Sequence, residues 1–144
     1  MSLLDSSDLI EIKLYYRYIN TNNSKRLVIL EDNKAKELLA DKNKAKEVEM
    51  LETKWSVLTW KEQNEVMDLS SQKINQKTGE KQFDFLSYRD AIVKRCLRTW
   101  NLTMNEKPVP VGPETIDKLP GSIVINLYQK FEQLIEYNEE ELGN

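Results

Sequence analysis

Along residues 9–19, LIEIKLYYRYI, apolar and polar positions alternate. Ile10, Ile12, Leu14, Tyr16 and Tyr18 fall on one side; Glu11, Lys13 and Arg17 fall on the other. A period of two predicts a half-buried strand. NTNNSK (20–25) is a turn cluster, and RLVIL (26–30) is a second apolar run. Together they predict a β-hairpin. Two strands alone are marginal in water, so this hairpin must pack on something or be extended by another chain.

Charge dominates the next stretch, and its apolar positions are sparse: Leu38, Leu39, Val48, Met50 and Leu51. NKAKE occurs at 33–37 and again at 43–47, close to three helical turns apart. The pattern predicts a long helix over 32–53, with its first half exposed or held by a partner. In KWSVLTWKEQNEV (54–66), Thr59 and Glu62 have the spacing of a capping box, which starts a helix over 60–71. Leu58 sits at the staple position before it. Trp60 and Trp100 are expected in the core, and Trp55 is a candidate partner contact, a role in which tryptophan is enriched.

INQKTGEKQF (74–83) reads as a loop or short hairpin around Gly79. Tyr88, Ala91, Ile92, Cys96 and Trp100, widened by Val93 and Leu97, form a stripe that predicts a helix over 87–100. NLTMNEKPVPVG (101–112) is extended by its prolines. Pro113 opens a short helix, 114–119, and Pro120 ends it. GSIVINLYQKFEQLIEY carries the clearest amphipathic pattern, a helix over 121–138. Acids at its end oppose the helix dipole, so its last turn is expected to fray. The expected fold is mainly α (α+β): a small helical domain, 54–144, preceded by a hairpin and charged helix, 1–53, that act as an interaction arm.

Composition removes most chemistry. Histidine is absent, which excludes Ser/His/Asp and Cys/His catalysis and histidine metal sites. A single cysteine, Cys96, allows neither an intramolecular disulfide nor a zinc cluster, and it falls in an apolar stripe. The four glycines are isolated, so no phosphate loop exists. Asp84, Asp90 and Asp117 sit near predicted helix starts, where acids occur for capping reasons. No cofactor, metal or enzymatic activity is expected. MSLLDSSDLIEIK has neither the charged start nor the apolar run of a signal peptide, and no stretch approaches the ~20 apolar residues of a membrane span. The expectation is a cytosolic protein with no membrane contact.

Net charge is −3, which gives no reason to expect nucleic acid. The charge is uneven, however. Arg89, Lys94, Arg95 and Arg98 cluster in one helix, while Glu132, Glu136, Glu139, Glu140 and Glu141 crowd the end. Two solvated helix faces that attract each other weakly explain this, and a basic groove for an acidic partner is the alternative.

From residue 54 to 142 the order of landmarks resembles the tail assembly chaperones of tailed bacteriophages. WSVLTWKEQNEVMDLSS opens the segment, a Lys-Thr-Gly turn follows, and FDFLSYRDAIVKRCLRTWNL leads into PVPVGPETIDKLPGSIV and the last helix. The resemblance implies a protein that binds the tape measure protein during tail assembly, in the cytoplasm of the infected bacterium, and that is absent from the finished virion. A small structural component of a tail or baseplate, retained in the virion, is the alternative within the same biology. A nucleic-acid binder using the basic helix is the alternative outside it. The landmarks are core positions, so the resemblance carries over no site residues. Candidate partner contacts come from the residues themselves: Tyr15, Tyr16, Tyr18 and Trp55, through strand addition at the hairpin edge or self-association.

Overall fold

The computed structural model describes residues 8–136. The hairpin is present: β1 (Ile10–Thr21) and β2 (Ser24–Leu30) pair antiparallel from Tyr15↔Leu30 to Thr21↔Ser24. Asn22 and Asn23 form its two-residue loop, with φ of 46° and 67°. Asparagine tolerates this left-handed region, and such a loop matches the twist of the strands.

The long charged helix is not formed. Only α1 (Asp32–Ala40) and a 3-10 turn at Ala45–Glu47 are helical. Asp41 ends α1, and its carboxylate accepts from the Asn43 N–H at 2.9 Å, a side-chain turn that competes with helix. Residues Glu49–Trp55 are a strand instead, β3, with Leu51, Thr53 and Trp55 all buried. β3 pairs with β1 from Ile10↔Trp55 to Tyr16↔Glu49. This period of two lies inside a run of good helix formers, and pairing with β1 overrides their propensity.

The helix expected over 87–100 is also cut short. After a two-residue strand pair around Gly79, β4 (Lys73–Ile74) with β5 (Lys81–Gln82), α3 runs from Phe85 to Cys96. Leu97–Trp100 becomes strand β6 and pairs with β3. Without it β3 would be an uncovered edge. The sheet order is β2-β1-β3-β6, all antiparallel. A second small hairpin follows, β7 (Thr103–Met104) with β8 (Lys107–Pro108). The remaining helices are α2 (Trp60–Leu69), α4 (Pro113–Ile116) and α5 (Gly121–Ile135). The expected end of the last helix at 137–138, its fraying, and the acids 139–141 lie outside the described residues. Helix makes up 41% and strand 29% of the described residues, so the fold is α+β rather than mainly α.

One face of the sheet carries the main core. Ile12, Leu14, Leu51 and Trp55 pack with Val66, Ile92, Val93, Cys96, Leu127 and Phe131 from α2, α3 and α5. Apolar packing therefore runs across residue 53, and the hairpin is a wall of this core. Trp55 is fully buried and stacks on Phe131 at 4.8 Å between ring centroids. Its Nε1 donates to Thr53 Oγ1 at 2.7 Å, and Thr53 Oγ1 donates to the Ile12 carbonyl at 2.8 Å. The buried polar atoms of this corner thus satisfy one another. On the other face α1 covers part of the sheet, where Leu30, Ala35 and Leu38 pack with Tyr15, Val28 and Val48.

The Thr59–Glu62 capping box forms: Glu62 N–H donates to Thr59 Oγ1 at 3.2 Å, and Thr59 N–H to Glu62 Oε1 at 3.1 Å. It fixes where α2 begins but not which side of it is buried. Val66 and the preceding Leu58 face inward, and Trp60 is left 79% exposed. The expectation of a core Trp60 is therefore corrected. Trp100 is half-buried against the core, with Nε1 donating to the Val109 carbonyl at 2.7 Å. Trp60→Ala is expected to change stability by no more than about 0.5 kcal/mol. In single-tryptophan variants, Trp60 emission should be red-shifted and freely quenched by iodide while Trp55 emission is shielded.

Candidate binding site

The four candidate contacts separate in the structure. Tyr15 faces the α1 side, because adjacent residues of a strand point to opposite faces. Trp55 is fully buried and has no surface to offer a partner. The burial of Trp55 corrects the expected contact set, whereas Tyr15 stays half-buried on its own face, where it lines an open cavity with Lys13 and Lys36. Tyr16 and Tyr18 remain together, edge to face at 6.1 Å, with Tyr16 half-buried and Tyr18 53% exposed.

These two tyrosines line an open pocket of about 160 Å³ with Leu51, Leu102, Leu119, Pro120 and Ile123. Several local devices build it. β3 ends opposite Tyr16, while β1 continues beside β2 to Thr21, so the Tyr18 end of β1 projects past β3. The Val109 N–H donates to the Leu102 carbonyl at 3.0 Å, closing the β7–β8 loop beside the pocket. Thr115 Oγ1 accepts from the Gly112 N–H at 3.0 Å and donates to the Pro110 carbonyl at 2.8 Å, shaping the start of α4. Leu119 and Pro120 then turn the chain from α4 into α5, whose first turn supplies Ile123. Burial, followed by a hydrogen bond to Glu49, pushes the Tyr16 phenol up, so it stays neutral. The pocket is an apolar recess with a tyrosine rim, suited to one aliphatic or aromatic side chain.

The chain matches no family model, no curated protein and no solved structure.

The geometry of the polar residues does not form a comparable site. Lys94 bridges Asp90 at 3.1 Å and Asp117 at 3.0 Å, and these bonds, that to Asp117 first, raise its pKa. Arg95 pairs with Glu65 at 2.6 Å. Arg98 Nε donates to Ser56 Oγ at 3.0 Å, and Arg89 lies over the Phe85 ring at 5.6 Å. Lys94 and Arg95 are thus held in ion pairs, while Arg98 falls in β6 rather than in the helix and stays exposed. Burial pushes the Cys96 thiol up to about 12, which suppresses the thiolate needed for nucleophilic or metal chemistry. Asp84 caps α3, accepting from the Leu86 N–H at 3.1 Å and from Ser87 Oγ at 2.9 Å. Among the described residues, no group of three metal-capable side chains assembles. No helix among them is long and apolar enough to cross a membrane.

Sequence reasoning named Tyr16 and Tyr18 but missed the other five lining residues as site residues. Their clearest advance signal was the Leu-Pro step at 119–120, read there as a helix boundary and a landmark of the resemblance and not as part of a site.

Proposed function

We propose that the protein is a non-enzymatic binding protein of bacteriophage tail assembly, and that it seats an apolar side chain of a partner tail protein in the tyrosine-rimmed pocket. The partner under this reading is the tape measure protein, engaged in the cytoplasm of the infected bacterium before the tail is complete. One observation carries the reading. The Leu119–Pro120 turn belongs to the segment that resembles tail assembly chaperones, and it lies in the same pocket as Tyr16 and Tyr18. The internal ion pairs of Lys94 and Arg95, two of the four clustered bases, support protein rather than nucleic acid as the partner.

Tyr18→Ala is the direct test. Tyr18 is more than half exposed, so its loss should leave stability within about 0.5 kcal/mol of the parent. Truncating a central interface tyrosine costs upwards of ~1–2 kcal/mol of binding, a loss of roughly five- to thirtyfold in affinity. Titration of purified protein against the tape measure protein should show that loss. An unchanged Kd for both Tyr18→Ala and Leu119→Ala would remove the pocket from the interface.

A further inference from the structure

The sheet is incomplete at the other end of β1, far along the strand from the tyrosine pocket. β2 ends at Leu30, opposite Tyr15, whereas β1 begins at Ile10. Residues 10–14 pair with β3 on one side and, among the described residues, have no strand on the other. Lys130 of α5 occupies this gap. Its Nζ donates to the Lys13 carbonyl at 3.1 Å and to the Asp32 carboxylate at 2.9 Å. The side chain therefore reaches from the helix layer on one face, past the bare strand edge, to α1 on the other.

The gap is roomy. An open cavity of about 470 Å³ runs along it, lined by Glu11, Ile12, Lys13, Lys36 and Leu134 among others. Main-chain polar groups of alternate residues face the same edge of a strand. The Lys13 carbonyl faces the gap, so the main chain of Glu11 does too. Such an edge is a template for another extended chain, and a lysine laid across it is a recognised way of blocking unwanted pairing. Here a single ammonium stands where a strand would pair. The surrounding charges are not balanced. Glu11 is paired with Lys13 and Asp32 with Lys130, while Lys36 has no ion-pair partner among the described residues.

We propose that this gap is a strand-accepting site: an extended polypeptide segment pairs antiparallel with β1 through Glu11 and Lys13, in line with β2, displaces Lys130 from the Lys13 carbonyl, and presents an acidic side chain to Lys36. Main-chain groups select a polypeptide over a small molecule, and the unmatched Lys36 selects an acid within it. Lys130 keeps its bond to Asp32 and acts as a latch on the edge. This site is independent of the tyrosine pocket and of the tail-assembly reading.

The test uses the full-length chain and a blocked nine-residue peptide of alternating threonine and valine with one central glutamate. Amide resonances of Glu11 and Lys13 should shift on titration, and their hydrogen exchange should slow. Lys130→Met keeps the aliphatic stem but frees the carbonyl, and should tighten binding about fivefold, the worth of one net hydrogen bond. Lys36→Met should weaken binding of the glutamate peptide but not of its glutamine counterpart. Three results would overturn the proposal. One is no shift at Glu11 and Lys13 with millimolar peptide. Another is a Lys130→Met affinity equal to or weaker than the parent's. The third is protection of these amides by self-association of Lys130→Met without peptide, which would make the occupant a second copy.

Discussion

Replacing Trp55 with alanine is expected to cost about 3–5 kcal/mol of folding stability, the range for a large aromatic removed from a core. Trp55 is fully buried and joins three parts of the fold: its own strand β3, the hairpin through Thr53 and Ile12, and α5 through the stack on Phe131. Alanine removes the stack, opens a cavity and deprives Thr53 Oγ1 of its donor. A domain of this size holds about 5–15 kcal/mol in total, so the variant should sit near the edge of folding. Urea unfolding followed by far-ultraviolet circular dichroism measures this directly, with Trp60→Ala as the control. A Trp55→Ala change below about 1 kcal/mol would contradict the burial and stacking described here.

The fragment 54–144 is expected not to fold cooperatively. It retains the helices, but it loses Ile12, Leu14 and Leu51, which form the sheet side of the core. It also loses β1 and all of β3 before Lys54, so Lys54 and Trp55, which pair with β6, lose their partners on the other side. The apolar faces of α2, α3 and α5 would then be open to water on one side. Thermal unfolding of the fragment should be broad, and its near-ultraviolet dichroism should be weak. A sharp transition with native-like aromatic signals would show that the hairpin is an appended arm after all.

The first strand was legible because nothing competes with its alternation: Ile10, Ile12 and Leu14 face in as their spacing requires. The same rule separates Tyr15 from Tyr16 and Tyr18, since neighbours in a strand cannot share a face. β3 was hidden by composition. Leu51, Thr53 and Trp55 alternate, but Glu52 and Lys54 between them also suit a helix, and a helical pattern precedes them. β6 was hidden by coincidence, because Leu97 and Trp100 fit the helical stripe of α3 as well as a strand. Only the need to cover the edge of β3 distinguishes the two, and that need is tertiary. Local chemistry was read correctly at Thr59 and Glu62, where the cap lies within one turn. Which of Trp55 and Trp60 is buried depends on packing against Phe131, far along the chain. The pocket was half legible for the same reason: its tyrosines come from a local pattern, and its remaining wall comes from segments brought together only by the fold.

The stack of Trp55 on Phe131 also sets an order in time. At roughly 5–20 residues per second of synthesis, Phe131 is made about 4–15 s after Trp55. Throughout that interval the hairpin and β3 can exist, but their apolar face has no complete cover. Hairpins form in microseconds, so the exposed sheet has ample time to meet other chains. Lys25 and Arg26 lie on the outermost strand, where charge discourages such pairing. The contacts that close the core join distant parts of the chain, a topology that slows folding. Newly made protein should therefore be most prone to aggregate, and most in need of protection, just before α5 arrives.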